Sequence, residues 1–169
     1  DLRKYFYIGA DFLFAFRGQG FLSAGRDRFL GYYGGNNTVR SAYFYSLVGT
    51  EYWIGNAEFR FPLINAASTI IGQIGPVRGV LFFDITRNKY GDYPAKFYRW
   101  DTDPSSVTYG DLLTIEAIGS YGYGVEFFIF GLPVHIEFAK RLEWPSMSKP
   151  FNFRAFGNFE TNFWIGFDF

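Results

Sequence analysis

Residues Phe29 to Leu63 read FLGYYGGNNTVRSAYFYSLVGTEYWIGNAEFRFPL. The first part, Gly31 to Leu47, is rich in Gly, Asn and Tyr and carries one basic residue, Arg40. The second part, Glu51 to Leu63, alternates: Trp53, Ala57, Phe59, Phe61 and Leu63 fall on one side, and Ile54, Asn56, Glu58 and Arg60 on the other. Period-two alternation predicts a β-strand with one apolar face and one charged face. A long polar loop feeding such a strand is the unit from which the rest of the chain is read.

The same alternation recurs on both sides of it. It predicts strands at Tyr5–Arg17, Val77–Thr86, Asp111–Phe130, Leu132–Leu142 and Gly157–Phe169, six in all with Glu51–Leu63. Between them lie long loops (Gly18–Thr50, Arg87–Gly110, Glu143–Phe156), a shorter turn at Ile64–Pro76 and a tight one at Gly131. No stretch combines an apolar i, i+3, i+4 stripe with helix caps. Long connections alternating with short ones fit an all-β, antiparallel, up-and-down transmembrane barrel, with Asp1 and Phe169 at the same end.

Composition agrees with that expectation. Of the 169 residues 24% are aromatic, with 23 Phe and 13 Tyr, far more than a soluble interior of this size accommodates. A small barrel is just filled by mixed large and small side chains. With Phe12, Phe14, Phe16, Phe59, Phe61, Phe127, Phe163 and Phe167 all inside, it would be overfilled. The charged face, by contrast, is rich in Gly (Gly9, Gly122, Gly124, Gly166), which leaves inner room for water or a folded-in loop. A soluble barrel or sandwich is the competing fold. On the apolar face the strand centres carry no charge, and Lys4 and Lys140 are placed near strand ends, where they snorkel. A net charge of zero gives no electrostatic case for nucleic acid. No Cys is present, so thiolate metal sites are excluded. The chain starts at Asp1 without Met or a signal peptide, as expected of a mature product or a fragment of something longer.

Five short motifs, in order, carry a resemblance. They are Gly34-Gly35 followed by Val39-Arg40, Glu58-Phe59-Arg60-Phe61-Pro62-Leu63, Phe82-Phe83-Asp84, Gly122-Tyr123-Gly124 and Gly131-Leu132-Pro133, and the chain ends in aromatic Phe169. Over residues 5–169 the chain resembles the barrel of the outer-membrane surface-antigen superfamily, which includes the catalyst of outer-membrane protein assembly and the two-partner secretion transporters. Ser41 and Thr86 stand where that family usually has Gly. The resemblance implies a Gram-negative outer-membrane barrel of about sixteen strands, of which residues 1–169 would supply the C-terminal six. Six strands cannot close a barrel, for which about eight are needed. It implies a lumen-folded loop at about 31–47, a C-terminal strand signal in Phe163, Ile165, Phe167 and Phe169, and pairing of the loop Arg40 with Glu58 and Asp84. The strand faces allow that pairing independently, since both carboxylates fall on the charged side. The competing arrangement leaves Arg40 in solvent and pairs Glu58 with Arg60 or Arg78.

Catalysis is not expected. The single His135, beside Glu137 on the polar face, lacks the three or four convergent ligands a metal needs, and Gly119–Gly124 opens no helix, so it is no nucleotide loop. The expected role is a cofactor-free barrel for insertion or translocation of client outer-membrane or secreted proteins. Its partners would be outer-membrane lipid and the rest of the barrel. The alternative is a membrane-anchoring or pore-forming barrel attached to another domain, without insertase activity.

Overall fold

The computed structural model describes residues 1–9, 11–65, 67–69, 72–74, 76–94, 96–129 and 131–166, with the side chains of 67–69, 72–74 and 94 outside the description. Phe130, Phe167 and Phe169 therefore lie outside the described residues, and with them part of the expected C-terminal signal. Along the chain run β1 (Leu2–Ile8), β2 (Phe12–Leu22), β3 (Gly31–Tyr33), β4 (Leu47–Gly49), β5 (Glu51–Ile64), β6 (Ala67–Thr69) and β7 (Gly72–Ile74). They are followed by β8 (Val77–Tyr90), β9 (Tyr93–Pro94), β10 (Phe97–Trp100), β11 (Leu112–Ile115), β12 (Ala117–Ile129), β13 (Leu132–Trp144) and β14 (Arg154–Ile165). The protein is all-β and antiparallel. Among the described residues no helix is long and apolar enough to cross a membrane, which bears on helices alone.

One curved wall dominates, in the order β1-β2-β5-β8-β12-β13-β14, with β9 paired to β8. Each strand pairs with the next in sequence, and the wall does not close: β1 and β14 each have one partner among the described residues. Every wall strand alternates as its residues dictate. In β5, Tyr52, Ile54, Asn56, Glu58 and Arg60 are buried, while Trp53, Phe59 and Phe61 stand partly open on the other side. In β8 the buried set is Val80, Phe82, Asp84, Thr86 and Asn88. We call the buried, polar side the inner face, because residues 31–49 lie against it.

The wall has seven strands along its path, not six. The expected strand at Tyr5–Arg17 is a hairpin, β1 and β2, with Ile8 opposite Phe12 and Phe6 opposite Phe14. Paired residues here sum to an even number, so the alternation runs through the reversal without a change of phase. Asp1 consequently lies at the long-loop end, where Leu2 pairs Gly18, whereas β14 ends beside Val134 at the short-turn end. Leu2 and Ile165 are therefore at opposite ends of the wall and not at one end, with Phe169 itself outside the described residues.

Other boundaries shift for local reasons. The expected strand at Asp111–Phe130 breaks at Glu116: β11 pairs β10 in a separate two-stranded sheet, and only β12 joins the wall. β8 runs on to Tyr90 and β13 to Trp144, because each finds a neighbour long enough to pair with. β14 begins at Arg154, before Gly157, with a register shift opposite Ala139 and Arg141. Lys140 is not near a strand end. It faces Tyr121 inside β13 and stands 5.5 Å from the centroid of the Phe159 ring.

Candidate functional site

The site is the loop inside the wall. Its neck is a short ladder, β3 against β4, with Tyr32 opposite Val48. Its head turns back at residues 35–39, where Gly35 bridges Val39 and the Thr38 amide donates to the Gly35 carbonyl at 2.9 Å. Gly34 and Gly35 have φ of +119° and +96°, a region where a side chain is strained. A Cβ on Gly34 would stand 2.5 Å from the Tyr43 carbonyl, and one on Gly35 2.8 Å from the Phe44 ring. The two glycines are thus required both for the turn and for the close return of residues 43–44.

Apolar contacts seat the neck. Tyr33, Val39 and Leu47 form one buried cluster with Tyr52, Ile54 and Ile118 of the wall and Ile115 of β11. The Tyr33 and Tyr52 rings stack with centroids 4.1 Å apart. Burial pushes the Tyr33 phenol up to about 12, and its oxygen lies 3.2 Å from Thr86 Oγ1.

Polar contacts aim the head. The Arg40 side chain is buried, and its Nη2 donates to Glu58 Oε1. Its Nε lies 3.5 Å from Glu137 Oε2, and Cζ stands 4.0 Å above the centroid of the Phe82 ring. Phe82 can lie there because Gly122, next to it across β12, has no Cβ to meet the ring. Arg60 Nε donates to the other oxygen of Glu58 at 2.9 Å. Two guanidinium groups thus share one carboxylate, and Glu137 lies beside the Nε of the first. Glu137 also accepts from Trp164 Nε1 at 3.3 Å, and the Trp164 ring stacks on His135 with centroids 3.7 Å apart.

Asp84 plays a different part from the one expected. It accepts the backbone N–H of Arg40 at 3.2 Å, Asn56 Nδ2 at 2.8 Å and Ser120 Oγ at 2.6 Å. It holds the main chain of the loop. Asn162 of β14 donates to the Arg40 carbonyl at 3.1 Å, and Arg17 of β2 donates to the Asn37 carbonyl at 2.7 Å. The loop is therefore tied to β2, β5, β8, β12, β13 and β14. The Ser41 hydroxyl supplies the β12 tie, donating to the Gly119 carbonyl at 2.9 Å.

Arg40 and Glu58 meet side chain to side chain, and Asp84 joins them through the backbone. Glu58 also pairs with Arg60, as the competing arrangement has it. The sequence alone does not place Glu137, Asn162 or Phe82 against Arg40. Glu137 could have been so placed, since it lies on the inner face and a planar guanidinium has donors for more than one carboxylate. Phe163 and Ile165 sit on the outer face of β14, both more than half exposed. Among the described residues no group of three or more His, Asp or Glu side chains converges as a metal site. No protein-family model, curated protein or solved structure matches the chain.

Chemically the cluster is an ionic clamp. An arginine can fork carboxylate oxygens in fixed directions, so it orients a loop as well as holding it. Removing one partner of such a buried set leaves the other charged and unpaired, which costs on the order of 3–5 kcal/mol.

Proposed function

We propose that the chain is the C-terminal part of a transmembrane outer-membrane β-barrel whose residues 31–49 fold into the lumen, and that the complete protein serves in insertion or translocation of other proteins. One observation carries the barrel reading. The wall buries charge on its inner face, around Arg40, while its outer face exposes Phe6, Phe12, Phe16, Leu81, Phe163 and Ile165. A soluble protein has the reverse distribution, and large exposed apolar areas mark contact with lipid or protein. Two open sheet edges support a larger barrel, because unpaired strands are not tolerated in hydrocarbon. The insertion or translocation role rests on the five-motif resemblance, with the clamp bracing the lumen loop and no catalytic step.

A second reading is a barrel that anchors or conducts for an attached domain. The depth of the clamp favours it, since a loop tied to six wall strands holds the lumen shut. Depletion of the protein from its cells separates the two. Under the first reading, the heat-modifiable folded fraction of other outer-membrane barrels, or the amount of a secreted client, falls within a few generations. Unchanged folding and secretion after depletion would leave the anchoring reading and overturn the first.

A further inference from the structure

Most of the outer face is tiled with rings, but one place is bare. Gly18 pairs with Gly55, and Phe16 with Ala57, so three adjoining outward positions on β2 and β5 have little or no side chain. The same register continues to Leu2 and Lys4 on β1 and to Ile85 and Phe83 on β8. The result is an open groove of about 490 Å³, floored by Gly18, Gly55 and Ala57 and walled by Phe16, Phe83 and Ile85.

Lys4 stands on the rim. Leu2 and Phe6 flank it along the same face, Phe16 is its cross-strand partner, and its Nζ is 5.6 Å from the centroid of the Phe6 ring. No carboxylate partners it among the described residues. A cation amid apolar side chains that face lipid is costly unless an anion comes to it. We propose that the groove binds one anionic phospholipid, with an acyl chain lying over Gly18 and Gly55 and the phosphate on the Lys4 ammonium. This site rests on the barrel reading above.

The two halves of the site argue for the same occupant. A chain laid on bare backbone recovers dispersion contacts that a flat ring surface elsewhere does not need. A Cβ on Gly18 would meet nothing within 4 Å, so the space there is free and not required by the fold. The flexible lysine stem lies along apolar surface while its charge seeks a headgroup, and anionic headgroups attract such cations. A neutral lipid would fill the groove but leave Lys4 unmatched.

Trp53 is the natural reporter, because it lies on the outer face two residues before Gly55 and is 41% exposed. The protein is placed in phosphatidylcholine bilayers doped with phosphatidylglycerol brominated on its acyl chains, or with brominated phosphatidylcholine at the same mole fraction. The Trp53→Phe variant identifies the contribution of Trp53 to the fluorescence. The expected result is stronger quenching of Trp53 by the brominated phosphatidylglycerol, with that excess kept in Lys4→Arg and lost in both Lys4→Gln and Gly18→Leu. Equal quenching by the two lipids, or an excess that survives both variants, overturns the site and leaves the barrel reading standing. Quenching by neither lipid means that protein or water covers this face, and overturns both.

Discussion

The backbone N–H of Arg40 donates to Asp84 Oδ2 at 3.2 Å, so Asp84 fixes where the residue sits, while Glu58 fixes where its side chain points. The two functions are separable. Arg40→Ala leaves the Asp84 bond intact and leaves Glu58 with Arg60, so the loss should be near the low end for a one-sided break, about 3 kcal/mol. Arg40→Lys should recover only part of it, because an ammonium cannot make the planar fork. Asp84→Ala takes the acceptor from the Arg40 amide and from Ser120, leaves Asn56 only its bond to the Thr38 carbonyl, and should loosen the loop more. Hydrogen exchange across residues 34–46 reads this out; equal protection in Arg40→Ala and native protein would remove the clamp from the account.

Gly35 has a similar test. Alanine there must hold a φ near +96° and press on the Phe44 ring, a strain of about 1–3 kcal/mol. Gly35→Ala should therefore expose the loop to protease while the wall stays folded. Gly20→Ala is the control, since a Cβ there meets nothing within 4 Å. Similar cleavage of the two variants would show that the turn does not need its glycine.

The segment between β10 and β11 has a pH limit. The hydroxyls of Ser106 and Thr108, with the Asp103 amide, hold the Asp101 carboxyl down to about 2. A group whose folded value is depressed contributes stability that is complete above its ordinary value near 3.8 and is lost as pH falls through the depressed one. The turn around Asp101 should stay ordered at pH 4 and loosen towards pH 2. Carbon-detected titration of the Asp101 carboxyl should show a midpoint near 2, and a midpoint near 4 would mean the hydroxyls do not hold it.

Closure is testable on residues 1–169 themselves. With the β1 and β14 edges open, each unpaired backbone group in hydrocarbon costs several kcal/mol. This stretch by itself should not form a protease-resistant, heat-modifiable monomer in detergent. If it did, seven strands would be enough and no larger barrel would be required.

The faces were legible in the sequence and the strand count was not. Glu58, Arg60, Asp84 and Glu137 could be put inside because each strand keeps a strict period of two. The β1–β2 reversal was invisible to the same rule, because Ile8 and Phe12 have the same parity and the pattern crosses the turn in phase. Glu116 escaped for the opposite reason. It interrupts an otherwise apolar run, and only the pairing of β11 with β10 shows that the chain leaves the wall there. At the site, Arg40 and Glu58 could be matched by face and charge, but the role of Asp84 could not. Whether a carboxylate takes a guanidinium or a backbone amide depends on how deep the loop sits. That depth is set by the packing of Tyr33, Val39 and Leu47, which alternation does not encode. Ser41 and Thr86, which depart from the resembled pattern, turn out to make ties of their own, to the Gly119 carbonyl and beside the Tyr33 hydroxyl.

Which face meets lipid decides the account, and site-directed spin labelling tests it most directly. Labels at Phe12, Phe59, Leu81, Phe127, Ile136 and Ile165, with the protein in bilayers, should relax with dissolved oxygen and not with a water-soluble nickel chelate. Labels at Asp11, Glu58 and Glu126 should not report lipid. The reverse, with nickel reaching Phe59 and Leu81 while oxygen does not, would contradict the transmembrane barrel.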